Sequence, residues 1–135
     1  MDFAGLNFLA IFVAAVAACL FGALYYRALG TAWMKAARIK PEEAKMTPSL
    51  VIAAFVAELI MAWVLAGVIG HLGLGQVTFW NGIISGAFLW LGFMATTVVV
   101  NQRYQGFGWT LSVIDAGHWL GVALIMGGII GLSAA

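Results

Sequence analysis

The chain has 135 residues, of which 64% are hydrophobic and only 8% charged, with a formal net charge of +1. A soluble domain carries about 25% charged residues, so too little polar surface exists here to keep a monomer in water. The small net charge gives no footing for a nucleic-acid partner. The single cysteine, Cys19, excludes an internal disulfide, and no Cys/His cluster has zinc spacing.

The first apolar run extends from Leu6 to Leu29, with Arg27 near enough to its end to snorkel. Within it, Val16-Ala17-Ala18-Cys19 matches a lipoprotein cleavage box and Ala15-Val16-Ala17 an ordinary signal-peptidase site. A cleaved signal is disfavoured because Asp2 is the only charge ahead of the run, which continues past both sites. From Gly30 to Pro48 the chain is polar, and Pro41-Glu42-Glu43 reads as the first turn of a short surface helix. Thr47-Pro48 opens a second run, Ser49 to His71, followed by an uncharged glycine-rich turn, Gly70 to Gln76. A third run covers Trp80 to Val100, then a polar loop from Asn101 to Trp109 contains Arg103. The fourth run is Leu111 to Leu132.

Runs of roughly 20 apolar residues suit membrane-spanning helices. No stretch alternates in the way a transmembrane β-strand requires. The expected fold is all-α: a single polytopic domain, 1–135, with four transmembrane helices over about 6–29, 49–71, 80–100 and 111–132 in a bundle. The first polar loop and its margin hold five of the six basic residues, and the third loop holds the other. The positive-inside rule then puts loops 30–48 and 101–109 in the cytoplasm and both termini, Met1 and Ala135, outside. Tyr25, Tyr26 and Trp33 mark one inner boundary, Tyr104, Phe107 and Trp109 the other, and Phe79 and Trp80 the outer one.

A faint internal repeat is present. Gly22-Ala23-Leu24-Tyr25-Tyr26 resembles Gly86-Ala87-Phe88-Leu89-Trp90, and Leu59-Ile60-Met61-Ala62 resembles Leu124-Ile125-Met126-Gly127, at offsets of 64 and 65. Chance matches among Leu, Ala and Gly compete with two parallel helical-hairpin repeats related by an axis along the membrane normal. Lipid supplies no hydrophobic drive for helix association, so small residues must let backbones approach. Ala10, Ala14, Ala18 and Gly22 form such a stripe in the first span, Gly82 and Gly86 in the third, and Gly117 and Gly121 in the fourth. They read as packing within the chain, or one stripe as the seam of a homo-oligomer.

Three ionisable residues fall inside spans: Glu58, Asp115 and His118. A charge at the bilayer centre costs about 3 kcal/mol on the lenient scales, so such residues face protein or a watery cavity. Glu58 lies about 15 Å beyond Pro48, near the midplane, and Asp115 and His118 about 9 and 13 Å past Trp109. Spacing of three puts Asp115 and His118 on one helix face, so an Asp115–His118 bond is expected ahead of a Glu58–His118 contact. Thr96, Thr97, Asn101 and Gln102 form a second polar group. Thr97 and Asn101 share a face and either bond Asp115, line a pocket, or are satisfied locally. Glu58 is either a neutral acid bonded to a neighbouring helix or a proton or cation site. Asp-x-x-His is too weak a pattern for a metal, and no metal, haem or other cofactor is expected. No Ser/His/Asp set, nucleotide loop or paired cysteine appears, so the chain reads as a non-enzyme.

Asn7-Phe8-Leu9-Ala10, Gly22-Ala23-Leu24-Tyr25-Tyr26 with Trp33-Met34, Trp90-Leu91-Gly92-Phe93-Met94-Ala95-Thr96-Thr97, and Ile114-Asp115-Ala116-Gly117-His118 together resemble a widespread bacterial family of small four-helix membrane proteins classed as a domain of unknown function. The resemblance implies the fold and membrane location but no activity. Its pattern often carries an aromatic residue at the His118 position, which implies that a histidine-based mechanism is not general to the family. The expectation is a small bacterial inner-membrane protein, a homo-oligomer for transport or small-ligand binding with a proton-sensitive Glu58, or else a structural subunit of a larger membrane complex.

Overall fold

The structure, a computed structural model, describes residues 5–133; the expectations placed on Met1, Asp2 and Ala135 lie outside them. Helix α1, Phe8–Ala37, opens where the Asn7 side chain accepts a hydrogen bond from the Ala10 N–H at 3.0 Å. It runs well past the expected end at Leu29, because charged residues such as Arg27 and Lys35 end an apolar run without ending a helix. What stops it is Arg38, whose left-handed backbone (φ 59°) turns its N–H back onto the Lys35 and Met34 carbonyls. At 1.5 Å per residue such a helix is about 45 Å long, against a hydrocarbon core of about 30 Å. The surface helix expected at Pro41 is instead an isolated turn. The Glu43 carboxylate accepts from the Lys40 N–H at 3.0 Å, and one turn does not repay the entropy of helix nucleation.

Helix α2, Pro48–Gly70, is capped by the Thr47 side chain with proline in its first turn. The third span begins as α3, Phe79–Leu89, capped by Thr78. It passes through a π-helical segment, Trp90–Ala95, and ends as α4, Thr96–Tyr104. Helix α5, Trp109–Leu132, follows a loop in which Gly106 takes a positive φ of 76°. All four spans are long and apolar enough to cross a membrane. The chain is therefore an all-helical, four-span membrane protein.

Helix α5 is the axis of the bundle, touching every other span, whereas no Cα of α1 comes within 8 Å of one in the third span. Ala14, Ala18, Ala62 and Ile69 pack with Val122 and Met126 into the apolar core shared by α1, α2 and α5. The third span lies beside that core, reaching it through Leu89, and runs mainly along another flank of α5. Its outer part is held there by glycine. A Cβ at Gly82 would strike the Gly127 carbonyl, one at Gly127 the Gly82 carbonyl, and one at Gly86 the Ala123 carbonyl. Backbones this close leave no volume for a side chain between them. The two halves of the proposed repeat pack unequally: α1 meets α5 over a long surface, while α2 barely touches α3.

The two basic loops lie together at one end. The Arg38 guanidinium donates to the Gly106 carbonyl at 2.7 Å and sits 5.2 Å from the centre of the Phe107 ring. A loop from the first half of the chain is thus clasped to one from the second.

Candidate functional site

At the end of the bundle nearest those loops, a polar network fills the angle between α1, α4 and α5. Asp115 is its hub. One carboxylate oxygen accepts from the Tyr26 hydroxyl at 2.8 Å, the other from the Gln102 amide at 2.7 Å. The Gln102 carbonyl accepts from the Ser112 hydroxyl at 2.8 Å, and the Ser112 oxygen accepts from Arg103 at 2.9 Å. Arg103 also donates to the Gly108 carbonyl at 2.7 Å and stacks over Trp109, 4.2 Å from the ring centre. Every donor along this path points toward Asp115, so a positive charge at the loop is relayed as oriented dipoles to a carboxylate within the helices.

Two further side chains fix the same stretch of α5. The Tyr25 hydroxyl donates to the Ile114 carbonyl at 2.7 Å and the Trp90 indole N–H to the Ala116 carbonyl at 2.8 Å. Tyr26 and Trp90 are aligned in the internal repeat, and they approach adjacent residues of α5 from opposite flanks.

One turn further along α5, His118 is only 6% exposed. Its ring stacks on Phe21 with an interplanar angle of 8°, and Tyr25, Tyr26 and Trp119 surround it with ring centres 5.7, 4.8 and 4.6 Å away. Gly22 admits the ring, since a Cβ there would lie 2.9 Å from Nε2. Nδ1 is buried with no hydrogen-bond partner. The expected Asp115–His118 bond does not form. Asp115 turns to donors on α1 and α4, and His118 occupies an aromatic cage.

Glu58 belongs to a different interface. It is 4% exposed, its Oε2 has no hydrogen-bond partner, and it faces the Cys19 thiol across α1 and α2. The expected contact with His118 is not seen: Glu58 meets α1 at Cys19, whereas His118 meets it at Gly22, Tyr25 and Tyr26, about one to two turns further along. Among the described residues, no group of three or more His, Cys, Asp or Glu could hold a metal.

Thr97 and Asn101 are placed away from the network. Both are exposed, and the Thr97 hydroxyl donates to the Phe93 carbonyl at 2.5 Å while Thr96 bonds the Gly92 carbonyl at 2.8 Å. The π segment is the physical reason. In an unbroken α-helix each residue turns by about 100°. Asn101 would then fall within about 60° of Gly86, which faces α5, and Gln102 about 160° away. A π segment acts as one inserted residue and rotates everything after it by about 100°, so that Gln102 takes the position of Asn101. The threonine hydroxyls then satisfy carbonyls in the π turn, as polar side chains must where water is absent.

Of the packing residues, Ala10, Ala14 and Ala18 are buried on α1, and Gly22 lies under His118. Gly82 and Gly86 lie against the α5 backbone. Gly117 lies beneath the Tyr25 hydroxyl and Gly121 beneath the Phe21 ring. Sequence reasoning named Gln102 in the second polar group without choosing it over Asn101, named Tyr26 and Trp90 without a polar role, and passed over Ser112. By position Tyr26 read as a boundary aromatic, although eleven further residues of α1 follow it. A longer first helix would have put its hydroxyl inside the bundle, in need of an acceptor.

No curated protein and no solved structure matches the chain. A family model described as a protein of unknown function, DUF1761, matches residues 9–131. The chain, with its four apolar helices and the Asp115-centred network, is a member of that family.

Proposed function

We propose that the protein is a small non-enzymatic transport or ligand-binding protein of the bacterial inner membrane whose working event is proton uptake inside the bundle. Three buried side-chain atoms among the described residues have no hydrogen-bond partner. The observation that carries this reading is that two of them, His118 Nδ1 and Glu58 Oε2, lie deep in the spans, the third being Arg103 Nε near the loop end of α4. Leaving such an atom unsatisfied costs about 1–3 kcal/mol, a cost that persists where it serves a purpose. Rings enclose His118 on several sides and Nδ1 is buried, so a proton is the ligand that this atom suits. Asp115, one turn away, is the negative charge that would face the imidazolium, and the surrounding rings would stabilise it by cation–π attraction. Glu58 with Cys19 would be a second proton-sensitive point. Four short helices enclose little volume, so a translocation path is proposed between protomers of a homo-oligomer.

The orientation proposed is that of the positive-inside rule, with loops 30–48 and 101–109 cytoplasmic and both termini outside. The Arg38–Gly106 clasp supports the shared side of the two loops. A second reading has its own support: both Asp115 oxygens are already satisfied, as in a lock that only fixes helices of a subunit in a larger complex.

Purified protein in lipid vesicles, followed by tryptophan fluorescence through a pH jump, tests the proposal. The expected result is a reversible response that disappears in His118→Phe and Asp115→Asn, and weakens in Glu58→Gln, while all three variants stay folded. A response identical in all four proteins, or co-purification with a larger complex and no response, supports the lock instead.

A further inference from the structure

We infer that the π-helical segment Trp90–Ala95 is a register switch, which on relaxing to α-helix withdraws Gln102 from Asp115 and presents Asn101 there in its place. Both registers offer the carboxylate an amide, because Asn101 and Gln102 are neighbours in the chain. In the observed register Gln102 bridges Asp115 and Ser112. Loss of the inserted residue turns α4 by about 100° and brings Asn101 to the same face and height, with Thr97 one turn away.

Three features of the structure permit the rotation. Gly92, within the π segment, has no atom within 4 Å of its would-be Cβ and so sweeps no neighbour. The Thr96 and Thr97 hydroxyls hold the Gly92 and Phe93 carbonyls now and are released when those carbonyls return to an α-helical ladder. At the far end of α4, Gly106 with its positive φ and Gly108, in extended backbone before α5, give the loop the freedom to absorb the turn. Upstream, the Gly82–Gly127 contact and the Trp90–Ala116 bond anchor α3 to α5. Rotation is thereby confined to α4, where it moves the buried Gln102 and exchanges the Arg103 contacts to Ser112, Gly108 and Trp109.

The switch rests on the preceding reading only in taking Asp115 as the site it serves, and its test needs no proton signal. In a Cys19→Ser background, two double-cysteine chains are compared in lipid vesicles under mild oxidation: Gln102→Cys with Ser112→Cys, and Asn101→Cys with Ser112→Cys. The first pair reports the π register, the second the α register. The expected result is that both pairs cross-link, the first several-fold faster. Deletion of Gly92 removes the inserted residue and leaves an unbroken α-helix in which Gln102 keeps its place, so the first pair should still cross-link and the second should be lost. Failure of the Asn101/Ser112 pair to cross-link in the full-length chain overturns the switch, whether or not the deletion variant inserts. Cross-linking of the Asn101/Ser112 pair as fast in a folded deletion variant as in the parent also overturns it, because the second register is then not its source. Cross-linking of both pairs in a protein without a pH response keeps the switch and removes the proton reading.

Discussion

The two ends of the contact between the third span and α5 hold helices together by different physics. At the end nearest the 71–78 turn, Gly82 and Gly127 bring backbone against backbone with no side chain between. At the end nearest the basic loops, Tyr26, Gln102, Ser112 and Arg103 converge on Asp115 through hydrogen bonds. The glycine end relies on shape alone, so any added atom must displace backbone. The polar end relies on a set of bonds of modest value, each of which can be lost singly. The first is a rigid hinge pin and the second an adjustable coupling, and His118, with its unpartnered Nδ1, lies beside the adjustable one.

That contrast predicts a graded set of effects. Gly82→Leu should be the most damaging change, costing about 3 kcal/mol or more because its side chain meets an immovable carbonyl. Reversible unfolding in detergent micelles measures it, and a loss under 1 kcal/mol would show the glycine contact to be loose. Asp115→Ala should cost about 2 kcal/mol, since it strands the donors of Tyr26 and Gln102. A cost equal to that of Gly82→Leu would erase the distinction between the two ends. Tyr26→Phe should cost about 1 kcal/mol, the usual worth of one polar contact between membrane helices. Asn101→Leu and Thr97→Val should fall within about 0.5 kcal/mol of the parent, as surface changes do. If Asn101→Leu proved as costly as Gln102→Leu in the same unfolding assay, the assignment of the π register would be wrong.

The sequence carries the four spans because apolar runs of bilayer length leave little choice of structure. Helix α1 continues beyond the apolar run because hydropathy reports where lipid ends, whereas a helix ends where a backbone residue such as Arg38 turns away. The candidate site was half legible. Asp115, His118 and Glu58 announce themselves as ionisable groups in apolar surroundings, and all three are inside the bundle. Their partners were not legible for a single reason of register. One extra residue of winding at Trp90–Ala95 exchanges Asn101 for Gln102, and no residue type in Trp90-Leu91-Gly92-Phe93-Met94-Ala95 announces a π turn. Spacing along α5 likewise suggested that Asp115 would bond its own neighbour His118. Donors from two other helices reach the carboxylate instead, and only the assembled bundle reveals them.

The central claim is that His118 takes up a proton within its aromatic cage. Nitrogen-15 NMR of imidazole-labelled protein in lipid nanodiscs reads the protonation state of that ring directly, with His71→Gln removing the only other histidine signal. The account predicts that the His118 resonances pass reversibly from the neutral to the imidazolium pattern as pH falls through the range in which the protein stays folded, and that Asp115→Asn displaces the transition. A His118 ring that remains neutral throughout that range, in the parent and in Asp115→Asn alike, would contradict it.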